Sequence, residues 1–119
     1  MNNIYNISID LRDNSVFSPI RLSQYDKGYF INFTITYDGE VFNLSDVTAV
    51  FQMNNGSDIT KSCNIQNNIV VLEIDEDITN VVGKFPYQIC LLSENQKITT
   101  TTNYITIGRV VNNGLLANN

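Results

Sequence analysis

The sequence predicts an all-β protein, an antiparallel sandwich of about seven short strands with one short helical turn. Three observations predict it. Tyr29, Ile31, Phe33, Ile35 and Tyr37 fall on one face of an extended chain, and Asn32, Thr34 and Thr36 fall on the other. That period of two, rich in aromatic and β-branched residues, marks a half-buried strand. Similar runs recur at the spacing of roughly 8–12 residues expected of a sandwich. Between them stand turn signals, Asp38-Gly39, Asn54-Asn55-Gly56-Ser57 and Asn67-Asn68, whose residue types accept the backbone of tight reversals.

In chain order, residues 6–11 read as the first strand, with Tyr5, Ile7, Ile9 and Leu11 on one face. Residues 13–19 read as a loop, and Pro19 places its neighbourhood at an edge or a strand start. Residues 20–28 lead into the strand at 29–37. A further strand at 47–53 lets Ala49, Phe51 and Met53 share a face. Residues 59–65 are polar and short, which reads as an edge strand. At 69–74, Val70, Leu72 and Ile74 alternate with Val71 and Glu73.

The alternation stops at residues 75–82. Asp75 can cap a helix, Glu76 and Asp77 sit where the helix dipole favours negative charge, and Gly83 ends the segment. One or two helical turns crossing an end of the domain are expected there. Residues 84–92 return to strand, with Phe85, Tyr87, Ile89 and Leu91 inward and Pro86 on the opposite face. Ser93-Glu94-Asn95 reads as a hairpin loop, and residues 96–107 as one long Thr-rich strand suited to a pleated surface. The domain is thus expected over residues 1–107, with 108–119 a linker or C-terminal tail.

Composition narrows the function. At 119 residues, one domain buries roughly 65% of its unfolded surface without metal or disulfide staples. A net charge of −5 with only seven basic residues argues against nucleic acid as a partner. The chain has no His, which removes the usual general base and the commonest metal ligand together. It has no Trp either, which weakens a sugar-stacking platform. No signal peptide is legible in MNNIYNISID, and no apolar run approaches the ~20 residues of a membrane helix. The expectation is a soluble protein made in a cytoplasm.

Several constellations are candidates for chemistry. Cys63 and Cys90 do not match the strand positions of the immunoglobulin disulfide, so two unpaired thiols are expected. Asp75, Glu76 and Asp77 form the densest carboxylate cluster. They lack the calcium-loop pattern and the separation that paired acid–base carboxylates require, so a solvated helix start is expected. Asn-X-Ser/Thr triplets such as Asn6-Ile7-Ser8 carry no weight without a secretory signal. No nucleophile motif, phosphate-cradling loop or CxxC occurs. The reading is therefore no enzyme, no cofactor, and no catalytic or metal-ligating residue. Tyr is favoured at binding surfaces because it joins contact area to a polar tip. Tyr5, Tyr25, Tyr29, Phe42 and Tyr104 are the candidate partner-contact residues.

The order of signals resembles the N-terminal domain of the phage baseplate upper protein family. That family has an IR-x-x-Q-x-D segment, here Ile20-Arg21, Gln24 and Asp26. A D-G-x-x-x-N/D-L-S/T turn follows, here Asp38-Gly39 through Asn43-Leu44-Ser45. The order continues through Val50-Phe51, Asn55-Gly56, residues 70–77, Gly83-Lys84-Phe85 and residues 99–107. One departure stands out: the family often has Gly before the Asp, where this chain has Tyr25.

The resemblance implies an immunoglobulin-like sandwich that anchors a tail-tip or fibre protein to a phage baseplate, with host-binding parts downstream. Its implied partners are other tail and baseplate proteins and further copies of itself, a trimer being one form. Its implied place is the virion, after synthesis in the bacterial host cytoplasm. A carbohydrate-binding module for host cell-surface glycan is the competing expectation, and it requires a row of exposed aromatic rings. A small hydrolase is the third, and it requires a cleft with paired carboxylates.

Overall fold

The computed structural model describes residues 4–12 and 19–111. Ten strands and one helical turn follow in the order β1 (Ile4–Asp10), β2 (Ile20–Ser23), β3 (Phe30–Tyr37), β4 (Glu40–Val41), β5 (Thr48–Asn54), β6 (Asp58–Gln66), β7 (Ile69–Glu73), α1 (Glu76–Thr79), β8 (Gly83–Leu92), β9 (Lys97–Thr99) and β10 (Asn103–Gly108). The all-β class is as the alternation predicts. The strands form one curled mixed sheet in the order β1-β3-β7-β6-β5-β8-β10-β2, with β4 on β3 and β9 on β8.

The sheet folds over at β6. Cys63 and the residues before it pair with β5, whereas Asn64, Ile65 and Gln66 pair with β7, so one strand passes from one layer to the other. The inward residues of the two layers meet in a single core. From one layer come Ile31, Phe33, Ile35, Val70 and Leu72; from the other come Phe51, Tyr87, Ile89, Ile105 and Ile107, all essentially inaccessible to solvent. The Tyr87 ring bridges the layers, stacked on Phe51 at 5.4 Å and tilted against Phe33 at 6.0 Å. Aromatic pairs at these separations add to the burial energy.

Four strand-level expectations are corrected. The sheet is not purely antiparallel: β1 pairs with β3, and β2 with β10, in parallel. The cause is connectivity, since the chain leaves β1, builds β2 in the other layer, and returns to lay β3 beside β1. Parallel neighbours need such a crossover. Second, the strands number ten rather than about seven, because β2, β4 and β9 are too short to show a period.

Third, the polar segment at 59–65 is more than a plain edge strand. It is β6, half-buried at alternate positions, with residues 58–63 paired to β5 alone and 64–66 to β7 alone. It thus stands at the edge of each layer and joins the two. Fourth, the Thr-rich segment is two strands. Between the pairs Tyr87↔Asn103 and Cys90↔Thr99, two residues of β8 face three of its partner, which is the count of a bulge. Thr100 fills the gap, its Oγ1 accepting from the Ile89 N–H at 2.9 Å while its own N–H donates to the Ile89 carbonyl.

Turn chemistry agrees with the sequence. Asp38 and Gly39 both have positive φ, as do Asn67 and Asn68, the requirement of the tight two-residue hairpin loop. Ser93 N–H donates to the Gln96 carbonyl across the predicted β8–β9 hairpin. The loop expected at 13–19 falls largely outside the described residues. Of the expected tail, Gly108 closes β10 and residues 112–119 lie outside the described residues.

Candidate functional site

The helical turn α1 lies across one end of the molecule, as expected from its cap. Asp75 is the N-cap and its carboxylate accepts from the Ile78 N–H at 3.2 Å. Ile78 and Thr79 are fully buried. The loop from Gln24 to Gly28 packs against this turn. Asp26 Oδ2 accepts from the Ser23 N–H at 3.1 Å and from the Tyr29 hydroxyl at 2.8 Å, and the Asp26 carbonyl accepts from Thr79 Oγ1 at 2.8 Å. Gln24 Nε2 donates to the Asn80 carbonyl at 3.0 Å. The Gln and Asp of the IR-x-x-Q-x-D segment thus fasten a loop to the end of the sandwich. Their role is architectural.

Tyr25 stands where the resembled pattern often has Gly, and its backbone shows why Gly suits the position. Its φ is +73°, the left-handed region where a side chain costs about 1–2 kcal/mol and glycine costs none. The remaining non-glycine residues with positive φ are Asp or Asn, which tolerate it.

The carboxylate cluster is engaged by cations of the chain itself. Lys61 reaches it from β6, with Nζ 2.8 Å from Asp75 Oδ2 and 2.6 Å from Asp77 Oδ2, and these contacts raise the lysine pKa. Lys27 pairs with Glu76 at 3.3 Å. Among the described residues, no group of three or more metal-ligating side chains is assembled.

Both thiols are free. Cys63 pairs across strands with the core residue Ala49, and burial pushes its thiol up to about 11, which keeps it protonated at neutral pH and weakly reactive. Cys90 points to the opposite face of its layer, where it is buried all the same. No helix among the described residues is long and apolar enough to cross a membrane.

The five candidate contact residues are not brought together. Tyr5 donates its hydroxyl to the Arg21 carbonyl at 3.3 Å and packs its ring 6.2 Å from that of Tyr29, so both link β1 and β3 to β2 and its loop. Burial and the Asp26 carboxylate raise the Tyr29 pKa, which holds the ring as a neutral donor. Phe42 is half-buried against the core. Tyr25 and Tyr104 are exposed, Tyr25 in the loop beside α1 and Tyr104 on the outer face of β10. Exposed Tyr37 closes β3 at the opposite end. These rings form no row.

Sequence reasoning missed the distribution of cations. Arg12, Lys27 and Lys61 are ion-paired. Arg21, Lys84, Lys97 and Arg109 have no carboxylate partner among the described residues. Residues directly opposite in a ladder share a face, so register places Arg21, Thr106 and Lys84 in one row across β2, β10 and β8. Tyr104 and Pro86 stand in the next row, and Lys97 lies farther along the same outer face beside Leu92.

The Lys84 ammonium sits 5.1 Å from the Tyr104 ring centroid. Pro19, Arg21, Lys84, Tyr104 and Thr106 line a concavity of about 430 Å³. The outer face of β1, β3 and β7 is the reverse: Asp10 and Glu73 stand on it, and its outward positions hold no Lys or Arg. The sequence signal was the parity of Arg21 and Lys84 against buried neighbours. Joining them into a row required the parallel β2–β10 pairing.

No family model matches the chain, and no curated protein matches it in sequence. A solved structure described as the N-terminal domain of phage TP901-1 ORF48, a baseplate upper protein, is similar at a TM-score of 0.72. The superposition covers 88% of this chain and 98% of that one, at 13% identity. The chain therefore has the fold of the N-terminal domain of a phage baseplate upper protein.

Proposed function

We propose that this chain is a structural component of a phage tail baseplate, a non-enzymatic domain that docks a receptor-binding or fibre protein to the tail by protein–protein contact. The observation that carries the reading is the fold match, which spans nearly the whole of both chains. The functional reading is thus an analogy drawn at the level of the fold. The sequence order of turns and strands supports it separately. So does the role of Gln24 and Asp26, whose bonds to α1 make the segment a structural signature.

The partners in this reading are neighbouring tail and baseplate proteins, with copies of the chain arranged round the tail axis, as a trimer in one form. The site of action is the virion, and synthesis takes place in the bacterial host cytoplasm. In this reading residues 1–107, with Gly108 closing β10, form the attachment domain, and the residues beyond are a linker or C-terminal tail. Co-expression with the proteins encoded beside it tests this. Stable co-purification with a tail or fibre component is expected, with a stoichiometry read by light scattering. Association with none of them, or glycan-array binding by the isolated chain, overturns it.

A further inference from the structure

We infer that the outer face of β2, β10 and β8 is where this domain receives an acidic protein surface, with Arg21 and Lys84 as charge contacts and Tyr104 as the apolar contact in the next row. The inference rests on the docking reading above and names the chemistry of the partner. A protein with net charge −5 places on this one face three of the four cations that have no carboxylate partner among the described residues. By register, its outward positions on β2, β5, β6 and β8 hold a single carboxylate, Asp58, which lies beyond β5 and accepts from Asn54 at 2.8 Å. A like-charged partner gains nothing there. A carboxylate-bearing one gains charge complementarity and steering.

Arg21 and Lys84 flank Thr106 across two strand spacings, which puts their backbones roughly 10 Å apart. A partner presenting two carboxylates at that separation meets both cations, with the Thr106 hydroxyl between them. Tyr104 and Pro86 supply the apolar area that protein interfaces use beside Arg and Tyr contacts. A glycan is the poorer fit. Sugar stacking wants open rings in a row, and the exposed ring on this face, Tyr104, already carries Lys84 over it.

The test is chemical-shift mapping of the whole chain with a synthetic peptide of alternating Glu and Val as probe. Saturable shifts confined to residues 19–23, 84–86 and 102–108 are expected. The same peptide with Gln for Glu should give none. Arg21→Gln with Lys84→Gln should weaken binding by about tenfold. Lys97→Gln removes the same charge from the far end of the same face and should leave affinity within about twofold. Equal loss in Lys97→Gln, shifts on the β1–β3–β7 face, or equal binding of the Gln peptide overturns the inference. Equal competition by hyaluronate or inorganic phosphate overturns the assignment to a protein partner.

The exposed Arg21 and Lys84 side chains make an unfolded variant unexpected, and Tyr104→Ala gives an independent variant that should also weaken the probe. Co-purification separates this inference from the functional one. If a tail component binds the wild type and the Arg21→Gln/Lys84→Gln variant alike, the face falls and the baseplate reading stands. If no tail component binds but the probe maps as expected, the reverse holds.

Discussion

The two ends of the sandwich are held in different ways. At the α1 end, loops distant in sequence are tied to a buried turn: Gln24 to Asn80, Asp26 to Thr79, Asn55 to the Asp77 carbonyl, and Lys61 to Asp75 and Asp77. At the opposite end, Asp10 gathers the β3–β4 hairpin, accepting from Thr36 Oγ1 and Gly39 N–H at 2.7 Å and from Asp38 N–H at 3.1 Å, with Arg12 paired to Asp38 at 3.3 Å beside it. That hairpin then projects with Tyr37 and Val41 exposed. One end is welded to the core and the other is clipped on. The lesson is that similar numbers of hydrogen bonds differ in worth according to whether they enclose apolar surface.

The largest expected contrast comes from truncating one apolar side chain at each end. Ile78→Ala empties a fully buried site and should cost about 3 kcal/mol. Val41→Ala, with 69% of the residue exposed, should cost under about 0.5 kcal/mol. Urea denaturation of both variants measures the difference, and equal costs would erase the distinction between the ends.

Next come the two aspartates. Asp26→Ala removes charge-assisted bonds to Ser23 and Tyr29 at the welded end and should lower global stability by about 2 kcal/mol. Asp10→Ala should instead act locally, speeding amide exchange over residues 36–41 while Tm moves little. Hydrogen exchange beside thermal melts separates the two outcomes.

Alkaline pH should find the same asymmetry. Tyr29 and Lys61, both beside α1, have raised pKa values, Tyr29 through burial and then its Asp26 partner, Lys61 through its bonds to Asp75 and Asp77. A raised native pKa contributes stability fully below the unfolded value and loses it as pH climbs through the native one. Stability from these groups should therefore be flat through neutrality and fall above about pH 10. Exchange near α1 should rise before exchange near Asp10. Lys61→Met should flatten part of that fall.

The smallest effect is a gain. Tyr25→Gly relieves a left-handed side chain but adds unfolded-state freedom, for a net stabilisation of about 0.5 kcal/mol. Tyr25→Ala keeps the strain and should gain nothing.

How much of this was legible follows from what periodicity encodes. The faces of β3, β5, β7 and β8 were readable, because burying one side of a strand forces alternation on its sequence. Asp75 marked the start of α1 for the same local reason, whereas the turn ends at Asn80 and Gly83, read as its stop, opens β8. Partners were not readable, since parity assigns a face and never a neighbour, so the parallel β1–β3 and β2–β10 pairs and the passage of β6 from one layer to the other stayed hidden. The break at Thr100 was invisible because its side chain replaces a backbone group with no change of residue type. Gln24 and Asp26 could be seen as a motif, but only their bonds to α1 show them to be structural. The same missing adjacency concealed the Arg21–Thr106–Lys84 row.

One further property follows from β6 serving both layers. Corners of this kind are made where a strand changes sheets, and here the change falls between Cys63 and Asn64. A load applied to one slab cannot shear it past the other without tearing a continuous backbone ribbon out of two ladders together. The molecule should respond to tension as a single stiff block, yielding all at once rather than peeling leaf from leaf.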